Sequence, residues 1–324
     1  MEIIETDQAK TYNTQVAFKG EGSELFGILI LNYILTFITL GLYYPWAKVE
    51  KLKYIYSHTE FSGTRFAFHG TGKELFIGFI KAYLVFVALY AALLYATFTQ
   101  QNTLVITIAI LFYLAILFLV PVAIHGMLRY RSSRTSWRGI HWGYRGDRGT
   151  LVKDFLVGLF LSIITLNIYS SWFITTLRKY IIGNLRFGSV KFSYEGNGFD
   201  LFIINLKGIV FSILTLGIYI FWYARNSHNY FVNNVRAEQN GNKIELQGTT
   251  TVSSYFNLMA GNILILIFTF GIGYAWTVVR NMKFFFNNLQ IDPAFNPENI
   301  AQTEEEYKNA FGEDVGDILD LGLV

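Results

Sequence analysis

The chain alternates between short segments in which every second residue is apolar and longer runs that are apolar throughout. Ser189-Val190-Lys191-Phe192-Ser193-Tyr194-Glu195 puts Val190, Phe192 and Tyr194 on one face, the period of a strand. Val16 with Phe18, Phe66 with Phe68, and Ile244 with Leu246 repeat that pattern. Asn240-Gly241, between Val235 and Ile244, predicts a hairpin turn. Glycines close the segments at FKGEG (18–22), FHGTG (68–72) and YEGNG (194–198). An acidic residue, Glu24, Glu74 or Asp200, then heads an apolar run, and Thr71-Gly72-Lys73-Glu74 has capping-box spacing. The run from Leu25 to Leu40 predicts a helix about 24 Å long, slightly short of a hydrocarbon core of roughly 30 Å. It stops at Gly41, and its equivalents stop at Asn167, Gly217 and Gly271, residues that tolerate the left-handed conformation of a helix end. Pro45 and Pro121 suit the first turn of a second helix, which is amphipathic, aromatic and basic.

These runs are copies of one unit. TLGLYYPW ends at Trp46, TLNIYSSW at Trp172, TLGIYIFW at Trp222 and TFGIGYAW at Trp276. Eight residues after each Trp stands an aromatic (Tyr54, Tyr180, Tyr230, Phe284), and twelve after stands His58, Asn184, Asn234 or Asn288. A further copy lacks the Trp. SHTEFSGTRFAFHG (57–70) aligns on SRTSWRGIHWGYRG (133–146), which carries Pro45-Trp46 onto Pro121-Val122. Five units therefore begin near Leu25, Leu75, Leu151, Leu201 and Tyr255. From Leu25 to Trp46 is 21 residues and from Leu75 to Val122 is 47, so the second unit carries 26 extra residues in its apolar part.

Composition points to a membrane. The chain is 52% apolar and 18% aromatic, with mean hydropathy +0.35. Ile77 to Phe98 has one charge, Lys81, and Leu104 to Ile124 has none, so each can cross a bilayer. The polar first 26 residues predict insertion by internal segments rather than a signal peptide. Zero cysteines exclude disulfides, thiol nucleophiles and Cys-based metal sites. The net charge is +3, but Asp292 to Val324 holds nine acidic residues and one Lys, so the remainder is more basic than the total suggests. This tail, 292–324, is expected as a separate acidic cytoplasmic piece that docks on a basic face or a protein partner.

Charge selects a topology. All five segments after the Trp position are basic, and basic residues mark the cytoplasmic side. Single crossings would leave about half of these clusters outside. The sequence therefore predicts a mainly α-helical membrane fold, residues 1–291, of five helical hairpins joined by short strand segments on the cytoplasmic face. Four hairpins would be re-entrant or barely spanning, and the second would be a full transmembrane pair with Thr99-Gln100-Gln101-Asn102-Thr103 at its far tip.

Candidate chemistry is sparse. The basic candidates for anionic headgroups are Lys48, Lys51, Lys53, Arg129, Arg131, Arg178, Lys179, Arg225, Arg280 and Lys283. The intramembrane polar candidates are Asn32, Lys81, Asn205, Lys207 and Asn257. Lysines near a helix end commonly snorkel to the headgroups instead. The G-x-G segments precede helices but match no dinucleotide or Walker pattern. His58, His69, His125, His141 and His228 form no H-E-x-x-H motif. No cofactor, metal or nucleic acid is called for. The repeated Trp and Tyr residues are expected as interface anchors.

FKGEGSELF (18–26), TLGLYYPWAKVEKLKY (39–54), HTEF (58–61) and FAFHGTGKELFIGF (66–79) resemble the YjgN-like family, a bacterial group of multi-pass inner-membrane proteins with a domain of unknown function. The resemblance covers about residues 14–291. It implies an inner-membrane location and supplies no reaction, substrate or catalytic residue. Three readings of function follow, in this order: a membrane-organising or lipid-interacting protein, a channel or transporter, and an enzyme on a lipid-linked substrate. The third needs a polar cluster that the sequence does not display.

Overall fold

The computed structural model describes residues 13–303. The acidic residues from Glu304 onward, and the tail's apolar end, lie outside the described residues. Each repeat unit is a strand, two antiparallel helices and a returning strand. Unit one is β1 (Val16–Phe18), α1 (Gly22–Ile38), α2 (Tyr44–Ser57) and β2 (Thr59–Phe61). Unit two is β3 (Thr64–Phe68), α3 (Gly72–Phe98), α4 (Asn102–Ser133) and β4 (Thr135–Trp137). Unit three is β5 (Ile140–Tyr144), α5 (Arg148–Ile164), α6 (Ser170–Gly183) and β6 (Leu185–Phe187). Unit four is β7 (Val190–Tyr194), α7 (Gly198–Leu214), α8 (Ile220–Asn233) and β8 (Val235–Gln239). Unit five is β9 (Asn242–Gly248), α9 (Val252–Phe268), α10 (Tyr274–Asn287) and β10 (Leu289–Ile291).

The strands form one antiparallel meander in chain order, β1 to β10. Register runs through pairs such as Phe18↔Thr59, Tyr194↔Val235 and Ile291↔Leu246. The sheet curls until its two edges nearly meet, where the Thr14 hydroxyl donates to the Ile291 carbonyl at 3.2 Å. One side chain in two faces the enclosed space, as the pleat requires. Val16, Phe61, Trp137, Phe187, Val190, Ala237 and Ile244 fill it. Trp137 is 1% exposed and donates its indole N–H to the carbonyls of Phe61 and Thr64 at 3.0 and 3.1 Å. Residues 292–303 continue from β10 across this core, inserting Phe295 and Ile300. They are held by two bonds between Gln239 and Asn296 (2.7 and 2.9 Å) and by Ser189 N–H to the Ala301 carbonyl (2.8 Å).

This architecture corrects the expected mainly helical multi-pass membrane fold. The strands are not connectors but a nearly closed, barrel-like ten-stranded sheet with its own core. Among the described residues, only α3 and α4, of 27 and 32 residues, are long and apolar enough to cross a membrane. The other eight helices have 14 to 17 residues, about 21 to 26 Å. Strands of three to seven residues carry too few alternations to announce a barrel, and their closure depends on pairing across units.

The helices also close a ring. Each packs on its chain neighbours, and α10 packs on α1. The even-numbered helices reach past the odd ones to one another. Lys51 of α2 meets Tyr274 of α10 (3.3 Å), Arg131 of α4 meets Tyr56 of α2 (3.0 Å), and Arg178 of α6 lies over Phe231 of α8 (4.8 Å). His228 of α8 packs edge-on to Phe285 of α10. The amphipathic helices thus form an inner ring, with the apolar odd-numbered helices outside it.

The repeated positions account for the assembly. The hydroxyls of Tyr54, Tyr180 and Tyr230 bond the backbone of Glu21, Asp147 and Asn197, each just ahead of the first helix of its own unit. Burial, with further contributions from nearby acidic groups, pushes the Tyr54 phenol up to about 12. Asn184, Asn234 and Asn288 turn their amides back to the carbonyls four residues earlier, at 2.7 to 2.8 Å, capping helix C-termini. The Trp residues join units. Trp46 packs tilted against Phe76 and over Gly72, Trp172 against Phe202 and over Gly198, and Trp276 against Phe26 and over Gly22, which closes the ring.

Charged residues on the sheet add a pH-sensitive clamp. Glu195 contacts Lys243 (3.0 Å) and Arg236 (3.2 Å), and the hydrogen bond from Lys243, with both cations, lowers its pKa. A lowered carboxylate contributes stability above its unfolded pKa and loses it as pH falls through the folded value. Melting profiles should therefore show a small loss of stability below about pH 4.5 that is absent in Glu195→Gln.

Candidate membrane interface

Four hairpin tips expose large apolar side chains. Leu40 is 79% exposed, Leu166 89%, Leu216 95% and Phe270 94%. Ile38, Ile164, Leu214 and Phe268 beside them are also exposed, as are Leu42, Ile168, Ile218 and Ile272. Four such patches at equivalent points mark a surface made for an apolar environment.

The backbone agrees. In lipid every peptide N–H needs an internal partner. Each N–H from 39 to 44 has one: Leu35, Phe37, Thr36, Thr39 and Gly41 supply carbonyls, and the Thr39 hydroxyl accepts from Tyr43 N–H at 3.0 Å. Thr39 also donates to the Leu35 carbonyl at 2.7 Å, so one hydroxyl satisfies both broken ends of the turn. Thr165, Thr215 and Thr269 repeat both bonds. The repeated Thr is thus explained by turn chemistry. Gly41 has φ +92° and Asn167 φ +71°, the expected left-handed helix end. The preceding Leu40, Leu166, Leu216 and Phe270 also have φ near +50°. Bulky residues rarely adopt this conformation, and here it holds an apolar side chain at the apex.

The basic candidates divide into two groups. Lys51, Arg131, Arg178, Arg225 and Arg280 reach protein partners; Arg225 bonds the Thr250 carbonyl at 3.3 Å and Arg280 bonds Asn262 at 3.0 Å. Lys53, Lys179 and Lys283 occupy one equivalent position, seven residues after Trp, and are exposed, while Arg129 holds that position half-buried and Lys48 is half-buried on α2. The polar candidates also separate. Asn205 joins three helices, bonding Ser171 (3.0 Å) and Tyr223 (3.0 Å). Asn257 offers its carbonyl to Arg280 at 3.2 Å, and Lys81 and Lys207 are exposed on outer helices. Asn32 is 3% exposed, and neither amide atom has a partner. Gly158 and Gly208 occupy the equivalent place and receive the rings of Phe173 and Tyr223.

Gly41, Gly217 and Gly271 lie in the tips, whereas Trp46, Trp172, Trp222 and Trp276 follow at the starts of the inner helices. Three of these Trp residues act as wedges between units, a role the interface-anchor expectation did not contain. Among the described residues, no group of three or more His, Asp or Glu side chains could hold a metal ion. His69 instead bonds Ser136 at 2.7 Å, and His58 bonds the Tyr54 carbonyl at 2.8 Å.

The profile of a family described as a bacterial protein of unknown function (DUF898) matches residues 13–204 and 237–318. The chain belongs to this family. Its match extends past residue 291, where the resemblance of the sequence motifs ended. Inner membrane protein YjgN of Salmonella typhimurium strain LT2 is 31% identical over 134 residues, 41% of this chain and 32% of that protein. The proteins of the same name from Escherichia coli O157:H7 and strain K12 are 34% and 33% identical over 129 and 127 residues, 39% of this chain and 30% of theirs. The matched stretch thus spans about a third of the length of these relatives. No solved structure matches. Membership of this family, with relatives named as inner-membrane proteins, makes membrane association the shared property.

Proposed function

We propose that the protein organises lipid at the bacterial inner membrane. The hairpin of α3 and α4 crosses the bilayer. The four short hairpins dip their tips into it from the side that carries the sheet, and Lys53, Lys179 and Lys283 hold anionic headgroups around the base. The observation that carries this reading is the set of four apolar tips whose backbone N–H groups are all satisfied internally. A soluble surface would expose neither feature so regularly. The long pair fits as the anchor: α3 measures about 40 Å, and the uncharged turn Thr99-Gln100-Gln101 follows its far end. Basic residues at the bases of the hairpins support a cytoplasmic sheet.

Native mass spectrometry of the detergent-purified protein tests the lipid part. Several anionic phospholipids should remain bound, and Lys53→Gln/Lys179→Gln/Lys283→Gln should retain clearly fewer. Equal retention by the triple variant would remove the headgroup belt from the account.

A further inference from the structure

A cleft of about 510 Å³ opens between α6 and the first turn of α7, at the junction of units three and four. Its walls include Trp172, Thr175, Thr176 and Lys179 from α6, and Phe199 and Asp200 from α7. Thr175 is 4% exposed, and its hydroxyl donates to the Ser171 carbonyl at 2.8 Å. Thr176, Lys179, Phe199 and Asp200 are exposed. The start of α7 is already capped, since the Asn197 side-chain oxygen accepts from the Asp200 N–H at 2.8 Å. The chemistry of the cleft therefore lies in its side chains.

Both charges in the cleft lack a counter-ion. Among the described residues Lys179 makes no side-chain hydrogen bond or ion pair, and Asp200 takes only the Asn197 amide, at 2.5 Å. The two line one cleft without pairing to each other. The repeats show why Asp200 is left over. Glu24 and Glu74 hold its place in units one and two, and each meets a basic side chain of its own unit, His58 at 3.5 Å and Arg134 at 2.8 Å. Unit four has Asn234 at that basic position, and its amide turns to the Tyr230 carbonyl at 2.7 Å. Lys179 also differs from its equivalents. One turn before Lys53 stands Glu50, and one turn before Lys283 stands Arg280, where Lys179 has the neutral Thr176.

We propose that this cleft binds a phosphoethanolamine group, the Lys179 ammonium meeting its phosphate and the Asp200 carboxylate its ammonium. A ligand that carries both charges a short link apart completes two ion pairs that the protein leaves open. A purely anionic group would meet Lys179 but be repelled by Asp200. The Thr176 hydroxyl adds a donor for a phosphate oxygen. Trp172 and the exposed Phe199 supply an apolar wall for the glycerol end of a lipid, at the level where such rings sit in a bilayer. The group occurs both as a phospholipid headgroup and as soluble phosphoethanolamine. The lipid source rests on the membrane reading above, and it names the headgroup taken at one of the three lysines.

The test titrates lipids into the full chain in neutral detergent and reads occupancy by native mass spectrometry. The host is Lys53→Gln/Lys283→Gln, which leaves Lys179 as the one lysine of the belt. Phosphatidylethanolamine should bind it about tenfold more tightly than phosphatidylglycerol of the same acyl chains. Asp200→Asn should abolish that preference by weakening phosphatidylethanolamine about tenfold, with phosphatidylglycerol no weaker. Lys179→Gln should weaken both lipids. Asp200→Asn should fold as its parent does, because the Asn197 cap accepts from the backbone N–H of that residue. Soluble phosphoethanolamine is the third probe. Its binding, lost in Asp200→Asn, assigns the group from either source, and binding of the lipid alone assigns the lipid. Equal affinity for the two lipids, or a preference that survives Asp200→Asn, would overturn the proposal. Lipid retained by the unaltered chain without such a preference would leave the belt standing and remove this site. Soluble phosphoethanolamine bound through Asp200 by a chain that retains no lipid would do the reverse.

Discussion

Trp276→Ala should destabilise the protein by about 2 to 4 kcal/mol, because it removes the wedge that joins the last unit to the first. Trp276 lies over Gly22, where a Cβ would come within 2.4 Å of the indole, and its ring centroid is 5.4 Å from that of Phe26. The residue is 38% exposed, which keeps the expected cost below that of a fully buried Trp. Gly22→Ala should act on the same contact from the other side, at about 1 to 3 kcal/mol, because the ring must move. Trp222→Ala is the internal control. Its seat holds Val252 rather than Gly, it is 43% exposed, and its loss should cost only about 1 kcal/mol. Denaturation of the purified variants in one detergent compares all three. Equal costs for Trp276→Ala and Trp222→Ala would show that ring closure does not depend on the glycine seat.

Thr215→Val should cost about 2 to 4 kcal/mol despite conserving shape. It leaves the Tyr219 N–H, now held by the Thr215 hydroxyl at 2.9 Å, without an acceptor, and removes the bond to the Phe211 carbonyl. In water such a donor would be rehydrated and the loss would be near 1 kcal/mol. The proposed burial of the tip in hydrocarbon leaves no water to replace the hydroxyl, and on that reading the larger figure applies. Thr215→Ser keeps the oxygen and should stay within about 0.5 kcal/mol of the parent. Stability measured in lipid nanodiscs should therefore separate Val from Ser at Thr39, Thr165 and Thr269 as well.

The repeat was legible because spacing survives substitution: Thr, Gly or Asn, Trp, and Tyr recur at fixed intervals, each fulfilling one local bond. Helix ends were legible for the same reason, and the Thr71–Glu74 capping box is present as its spacing suggests. The closure of sheet and ring was not. A three-residue strand such as Leu289–Ile291 has no period of its own, and its pairing with β9 is fixed by the whole circuit. The apolar composition favoured a mainly helical multi-pass fold, yet much of it lies in tips and outer helices too short to span. Left-handed Leu40 and Leu216 were also hidden, since a sequence reading assigns that conformation to the Gly that follows. At the candidate sites, the cations were visible but not their division into exposed Lys53, Lys179 and Lys283 and arginines such as Arg178 and Arg280 that reach a neighbouring helix. The change from His58 and Arg134 to Asn234 was present in the aligned repeats. It gained meaning only once the structure showed that this position pairs with the acid in the first turn of its unit's first helix.

In the proposed arrangement all five hairpins enter the membrane from one side and only the second emerges. The chain contains no cysteine, so single cysteines report position without background. Cysteines at Ser62, Ser189 and Asn240 should react with an impermeant thiol reagent only from the cytoplasmic side, one at Gln101 only from the periplasmic side, and those at Leu166 and Leu216 from neither. Labelling of Ser189 and Asn240 from opposite sides, or ready labelling of Leu166 and Leu216 by the aqueous reagent, would contradict it.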